Sequence, residues 1–144
     1  MADPNSPTRG QWTTEIFGCY EDPSNCWVTF VCPCLTFARN AEIVDEGKTT
    51  AFTAGRHYLV LCNFAPILGA TLYACTYRSK LRRRFELPEQ PCRHCGDCYV
   101  HHLCRFFALC QEHRELSNRH MDPRGGKIVC DFKIFLTTRL HFRP

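Results

Sequence analysis

The sequence predicts a mainly α-helical fold: a small helical membrane protein with one or two apolar segments and a cysteine-rich cytosolic part. Three observations carry that expectation. Residues 58–77 form a run of twenty residues without a charge, and a helix of that length spans about 30 Å, the hydrocarbon thickness of a bilayer. A basic cluster, Arg78, Lys80, Arg82, Arg83 and Arg84, follows at once, as topology determinants do on the cytoplasmic side of a membrane. Twelve cysteines stand among 144 residues, far above ordinary usage.

Taken in order, residues 1–16 read as a flexible polar leader. They lack the basic n-region and apolar h-region of a signal peptide, so the thiols are expected to face the reducing cytosol, where metal binding is commoner than disulfide bonding. The cluster Glu21-Asp22-Pro23-Ser24-Asn25 is a turn signal. Residues 26–38 carry no charge, but a helix of that length reaches only about 20 Å, short of a bilayer's core. They are expected to be buried, re-entrant or interfacial. Pro33 suits the first turn of a helix, since its missing N–H is not needed there. Leu35, Ala38, Ala41, Ile43 and Val44 continue in helical spacing, and Gly47 is placed to end that helix.

In 58–77, aromatic residues lie towards both ends, while Asn63, Pro66 and Gly69 predict a kink or close helix packing. The alternative reading is a buried core helix, which the mean hydropathy of −0.29 favours. Length and flanks favour lipid. Residues 85–90 read as a linker. Leu103, Phe106, Phe107, Cys110 and His113 make a helical stripe. Pro123, Gly125 and Gly126 break it, and 128–144 hold β-like apolar runs.

Three constellations can carry chemistry. Cys26, Cys32 and Cys34 sit in the first apolar run, the last two separated only by Pro33. That spacing is too short for easy chelation of one tetrahedral zinc; metal contact, palmitoylation and simple burial all remain open for these thiols. Glu42 and Asp45, at i and i+3, share a helix face and suit a divalent cation or a cation path; a solvated acidic face is the plainer reading. The third constellation is the strongest. Cys92, Cys95 and Cys98 form overlapping Cys-x2-Cys steps, the spacing of a thiolate knuckle. His102, Cys104, Cys110 and His113 follow as further ligands, with Cys110 and His113 one helical turn apart. Zinc or cadmium suits this mixture of thiolate and imidazole; buried structural thiols are the alternative. No phosphate-cradling loop and no Ser/His/Asp pattern is present, so an enzyme is not expected. A net charge of +4 does not point to nucleic acid.

The stretch Asn25-Cys26-Trp27-Val28-Thr29-Phe30-Val31-Cys32-Pro33-Cys34-Leu35-Thr36-Phe37, followed by Ala41-Glu42-Ile43-Val44-Asp45-Glu46-Gly47, closely resembles the signature of the plant cadmium resistance proteins. These share it with the cell number regulators in the placenta-specific 8, cornifelin-like, cysteine-rich family. Tyr77-Arg78-Ser79-Lys80-Leu81-Arg82, the later cysteines and Arg114-Glu115-Leu116 resemble its second block. The likeness covers residues 17–124, with 125–144 divergent. It implies a plasma-membrane protein, the bulk of it cytosolic, acting as a homo-oligomeric transporter or channel for zinc and cadmium in metal efflux and resistance. Cys32, Cys34, Glu42 and Asp45 would then line or support the ion path. It equally implies the alternative of a membrane-associated metal-binding scaffold that regulates cell number or organ size without transport.

Overall fold

The computed structural model describes residues 7–89 and 96–121. A short 3-10 turn, Cys19–Glu21, leads into six helices: α1 Pro23–Val31, α2 Pro33–Val44, α3 Ala51–Phe64, α4 Gly69–Phe85, α5 Gly96–Leu103 and α6 Arg105–Asn118. The mainly α-helical expectation holds. α2 is the central helix and packs against α1, α3, α4 and α6.

Local chemistry sets most of the helix ends. The Asp22 carboxylate caps α1 by accepting from the Asn25 N–H at 3.1 Å, with Pro23 in the first turn. Pro33 disfavours helical backbone at Cys32, which takes φ −143° and ψ 78°. The first apolar run is thereby cut into α1 and α2, and Pro33 opens the second, as its type predicts. Gly47 follows α2 with φ +77°, in the left-handed region open to glycine. Thr50 caps α3, accepting from the Thr53 N–H at 3.3 Å. Arg82, Arg83 and Arg84 occupy the last turn of α4, where cations complement the helix dipole.

The expected membrane span is not formed, and the membrane part of the predicted fold class is corrected here. Among the described residues no helix is long and apolar enough to cross a membrane. Residues 58–77 are divided between the end of α3 and the start of α4. Pro66 is the physical reason. It removes a helical donor and pushes Ala65 out of helical backbone, to φ −140°. The chain turns rather than kinks. Tyr58, Ala70, Ala74 and Tyr77 face inward, whereas Phe64, Ile67, Leu68 and Leu72 are exposed. Gly69 makes the turn tight: a Cβ there would lie 2.8 Å from the Ala65 Cβ.

The core has two parts. The apolar one gathers Phe37, Ala41, Ala54, Tyr58, Ala70, Ala74, Tyr77 and Leu109. Phe37 of α2 stacks on Tyr58 with ring centroids 4.5 Å apart and meets Tyr77 edge-on at 5.3 Å. The other part is polar. Arg78 is fully buried. Its guanidinium donates to the Gln111 side chain at 2.8 Å and to Glu112 at 3.2 Å, and lies 3.4 Å from Asp97. The Trp12 ring covers it at 4.6 Å. Asp97 also accepts two bonds from Arg82 at 2.8 Å and one from Ser79 at 2.6 Å. His101 meets Glu112 at 2.8 Å.

Two members of the basic run, Arg78 and Arg82, therefore clamp α4 to its neighbours, and two more pair with acids nearer the surface. Lys80 pairs with Asp45 at 2.6 Å and Arg84 with Glu46 at 3.6 Å. Arg83 is exposed. Their expected role as membrane-topology determinants loses the span on which it depended.

Arg78→Met is expected to destabilise the fold by about 3 kcal/mol or more, because it strands buried carboxylates without their cation. Urea unfolding checks this; a loss under about 1 kcal/mol would show that the clamp is dispensable.

A candidate thiolate metal site

Among the described residues, one group of three or more metal-ligating side chains converges: Cys19, Cys26 and Cys110, whose sulfurs all lie within 4.8 Å of one another. Each comes from a different element. Cys19 sits in the 3-10 turn, Cys26 in α1 and Cys110 in α6.

A strap of hydrogen bonds brings them together. The backbone N–H and hydroxyl of Thr13 both donate to Glu115, at 2.8 and 2.7 Å. Gln111 donates to the Thr14 carbonyl at 3.0 Å, Arg114 to the Glu15 carbonyl at 2.6 Å, and Arg119 to the Gln11 carbonyl at 2.9 Å. The segment before Cys19 is thus laced along α6, and Cys19 arrives beside Cys110. α1 also packs against α6. Thr29, one turn after Cys26, donates to the Asn25 carbonyl at 2.7 Å and shares a 2.8 Å bond with Thr36 of α2.

Cys110 is buried, while Cys19 and Cys26 are half-buried. Before them lies an open, mostly apolar hollow of about 420 Å³, lined by Cys19, Tyr20, Pro23, Cys26, Trp27 and Phe30. Burial pushes the Cys110 thiol up to about 12, against a lowering contact from Thr29. Burial, then the neighbouring Cys19, raises Cys26. Both thiols hold their protons at neutral pH, so an entering cation must displace them. Three sulfurs within 4.8 Å of one another could hold a soft divalent ion.

The ligands proposed from sequence are dispersed. Among the described residues, only Cys110 of them joins the cluster. Cys32 and Cys34 form a separate pair, with sulfurs 3.1 Å apart. Cys98 is bonded to Cys75 in a disulfide that ties α5 to α4, and is not a free thiolate ligand in this state. Cys104 packs against Ile16, Val100 and Ala108. His102 is exposed, and His113 is buried on α6. Glu42 joins no ligand group among the described residues. Asp45 is committed elsewhere: it accepts from Lys80 at 2.6 Å, Thr49 at 2.8 Å and the Tyr77 hydroxyl at 3.1 Å. Burial raises its carboxyl, but these three bonds outweigh burial and hold it below the usual range. Cys92, Cys95 and the tail 125–144 lie outside the described residues.

Sequence reasoning did not single out Cys19 and grouped Cys26 with Cys32 and Cys34, whereas the fold brings Cys26 beside Cys19 and Cys110. Neither carries a chelating spacing to Cys110; only the folded strap makes them neighbours.

The sequence model described as the PLAC8 family matches residues 12–115, a span containing all three thiols. The chain belongs to the PLAC8 family. It is 40% identical over 138 residues to Cell number regulator 4 of Zea mays, covering 94% of this chain and 84% of that protein. Cell number regulator 10 of Zea mays is 47% identical over 116 residues, or 81% of this chain and 71% of the relative. Protein PLANT CADMIUM RESISTANCE 9 of Arabidopsis thaliana is 46% identical over 120 residues, or 83% and 77%. The resemblance seen in the sequence is thus shown. No solved structure gives a significant match.

Asp45→Asn is expected to cost about 1 kcal/mol, since it removes a half-exposed ion pair and weakens two hydrogen bonds. Its depressed carboxyl contributes stability above the ordinary carboxylate range, and that contribution is lost as pH falls into the acid range. The same variant should leave cadmium binding unmoved. Urea unfolding at neutral and acid pH, with a cadmium titration beside it, checks both halves.

Proposed function

We propose that this PLAC8 protein binds a soft divalent metal ion, cadmium or zinc, on the thiolates of Cys19, Cys26 and Cys110, and serves metal resistance or cell-number control as a metal-binding regulator. The convergence of three sulfurs within 4.8 Å carries the reading. The names of its cadmium-resistance and cell-number relatives support the setting. Thiolates favour soft cations, and the open hollow supplies an entry path. Cys26 and Cys110 act as ligands only once deprotonated, so binding is coupled to proton release.

The sequence also allows a homo-oligomeric transporter; among the described residues no helix is long and apolar enough to cross a membrane. The acids assigned to the path are also not gathered: Asp45 is spent on Lys80, Thr49 and Tyr77. Capture of the ion is the activity that the described residues support best.

Cadmium titration of the reduced full chain should show a saturable site with the ultraviolet absorption of a cadmium–thiolate bond. Cys19→Ser with Cys26→Ser, both half-buried positions, should weaken it by about a hundredfold while thermal unfolding stays cooperative. Because protons leave thiols with raised pKa, affinity should strengthen as pH rises across the neutral range, by up to about tenfold per unit for each proton displaced. Undiminished binding in the double variant would sink the proposal.

A further inference from the structure

Cys32 and Cys34 make a second, independent thiol site. Their sulfurs approach to 3.1 Å across Pro33. Cys32 is the residue immediately before the first turn of α2, where the positive end of the helix dipole favours a thiolate. Cys34 lies inside that first turn. Both are half-buried, so a small reagent can reach them.

Two features separate this pair from the metal cluster. No third His, Cys, Asp or Glu converges on it among the described residues. A single residue between two thiols is also too short a bite for one tetrahedral ion. What the geometry does suit is bond formation between the sulfurs. They need to close by only about 1 Å to reach a disulfide of about 2.05 Å. The segment is pre-bent for this, because Pro33 enforces the break between α1 and α2 and Cys32 has left helical backbone.

We propose that Cys32 and Cys34 are a redox-active dithiol that reduces small-molecule disulfides of the glutathione type. The Cys32 thiolate attacks one sulfur of the disulfide. A Cys32–S–S–R bond forms, the R–S–S–R bond breaks and RS⁻ departs. The Cys34 thiol then attacks the Cys32 sulfur, passing its proton to the second departing RS group. The two cysteines lose two electrons and become one intramolecular disulfide; the small disulfide gains them and becomes two thiols. The roles follow the positions. The Cys34 thiol holds Cys32 down to about 6, against the opposing effect of burial, and Cys34 itself is raised by Cys32 and then by burial. Cys32 is the attacking thiolate and Cys34 the resolving thiol.

The test uses the full reduced chain in glutathione buffers of graded oxidised fraction. Rapid acid quenching, alkylation and chymotryptic mapping of residues 31–37 report the state of the pair. The expected result is an intramolecular Cys32–Cys34 disulfide that appears and reverses with the buffer. Cys34→Ser should instead accumulate glutathione on Cys32. Cys32→Ser should slow the reaction of Cys34 on the order of tenfold or more. A pair that stays a dithiol in oxidised buffer would overturn the proposal. So would wild-type protein that stops at a mixed disulfide. The wild-type mapping decides the matter even where a variant fails to fold. Cadmium binding at Cys19, Cys26 and Cys110 is read separately, so the two proposals stand or fall apart.

Discussion

A buried guanidinium is the constraint on which the rest of this molecule depends. Arg78 projects from α4 into a space without solvent and is met by α5 through Asp97 and by α6 through Gln111 and Glu112. Burying a charge is costly unless it is paired and its donors are satisfied. This arrangement settles the position and rotation of α6 against α4. Gln111, which accepts from Arg78, also donates to the Thr14 carbonyl. The clamp therefore extends directly into the strap that carries Cys19 to Cys110. A thiol cluster assembled from three elements far apart in sequence rests on an ion-pair network that touches none of its sulfurs.

Two thiol centres emerge from a chain rich in cysteine, and their differences are physical. The cluster of Cys19, Cys26 and Cys110 has three sulfurs, two of them with raised proton affinity, opening on an apolar hollow. It favours a cation that can displace protons. The pair of Cys32 and Cys34 has two sulfurs, one depressed by the other, at the head of a helix. It favours electron chemistry. Cys75 and Cys98 take a third course and staple α5 to α4. Counting cysteines does not separate these fates; the neighbours of each sulfur do.

Much of the fold was legible where local chemistry decides it. Pro33 opens a helix and Gly47 follows one because φ preferences act at single residues. Family membership was legible because the blocks around Cys26–Cys34 and Arg78–Arg82 keep their order. The apolar run 58–77 misled, since its composition suits lipid and a protein core equally. Asn63, Pro66 and Gly69 predict a kink or close helix packing; with Ala65 out of helical backbone the chain turns, and α4 packs closely against the end of α3. The buried ion pairs of Arg78 and Arg82 had no local signal for a related reason: sequence does not tell whether an arginine meets water or a buried carboxylate. At the site, chelate spacing drew attention to Cys92, Cys95 and Cys98, whereas the described cluster is assembled across long separations. Contacts of that kind have no local signal.

X-ray absorption at the cadmium edge of the cadmium-loaded full chain identifies the atoms that surround the bound ion. Three sulfurs are expected to dominate the nearest neighbours of cadmium, falling to one when Cys19 and Cys26 are replaced by serine. A shell of oxygen and nitrogen, or a sulfur shell unchanged in that variant, would contradict this expectation.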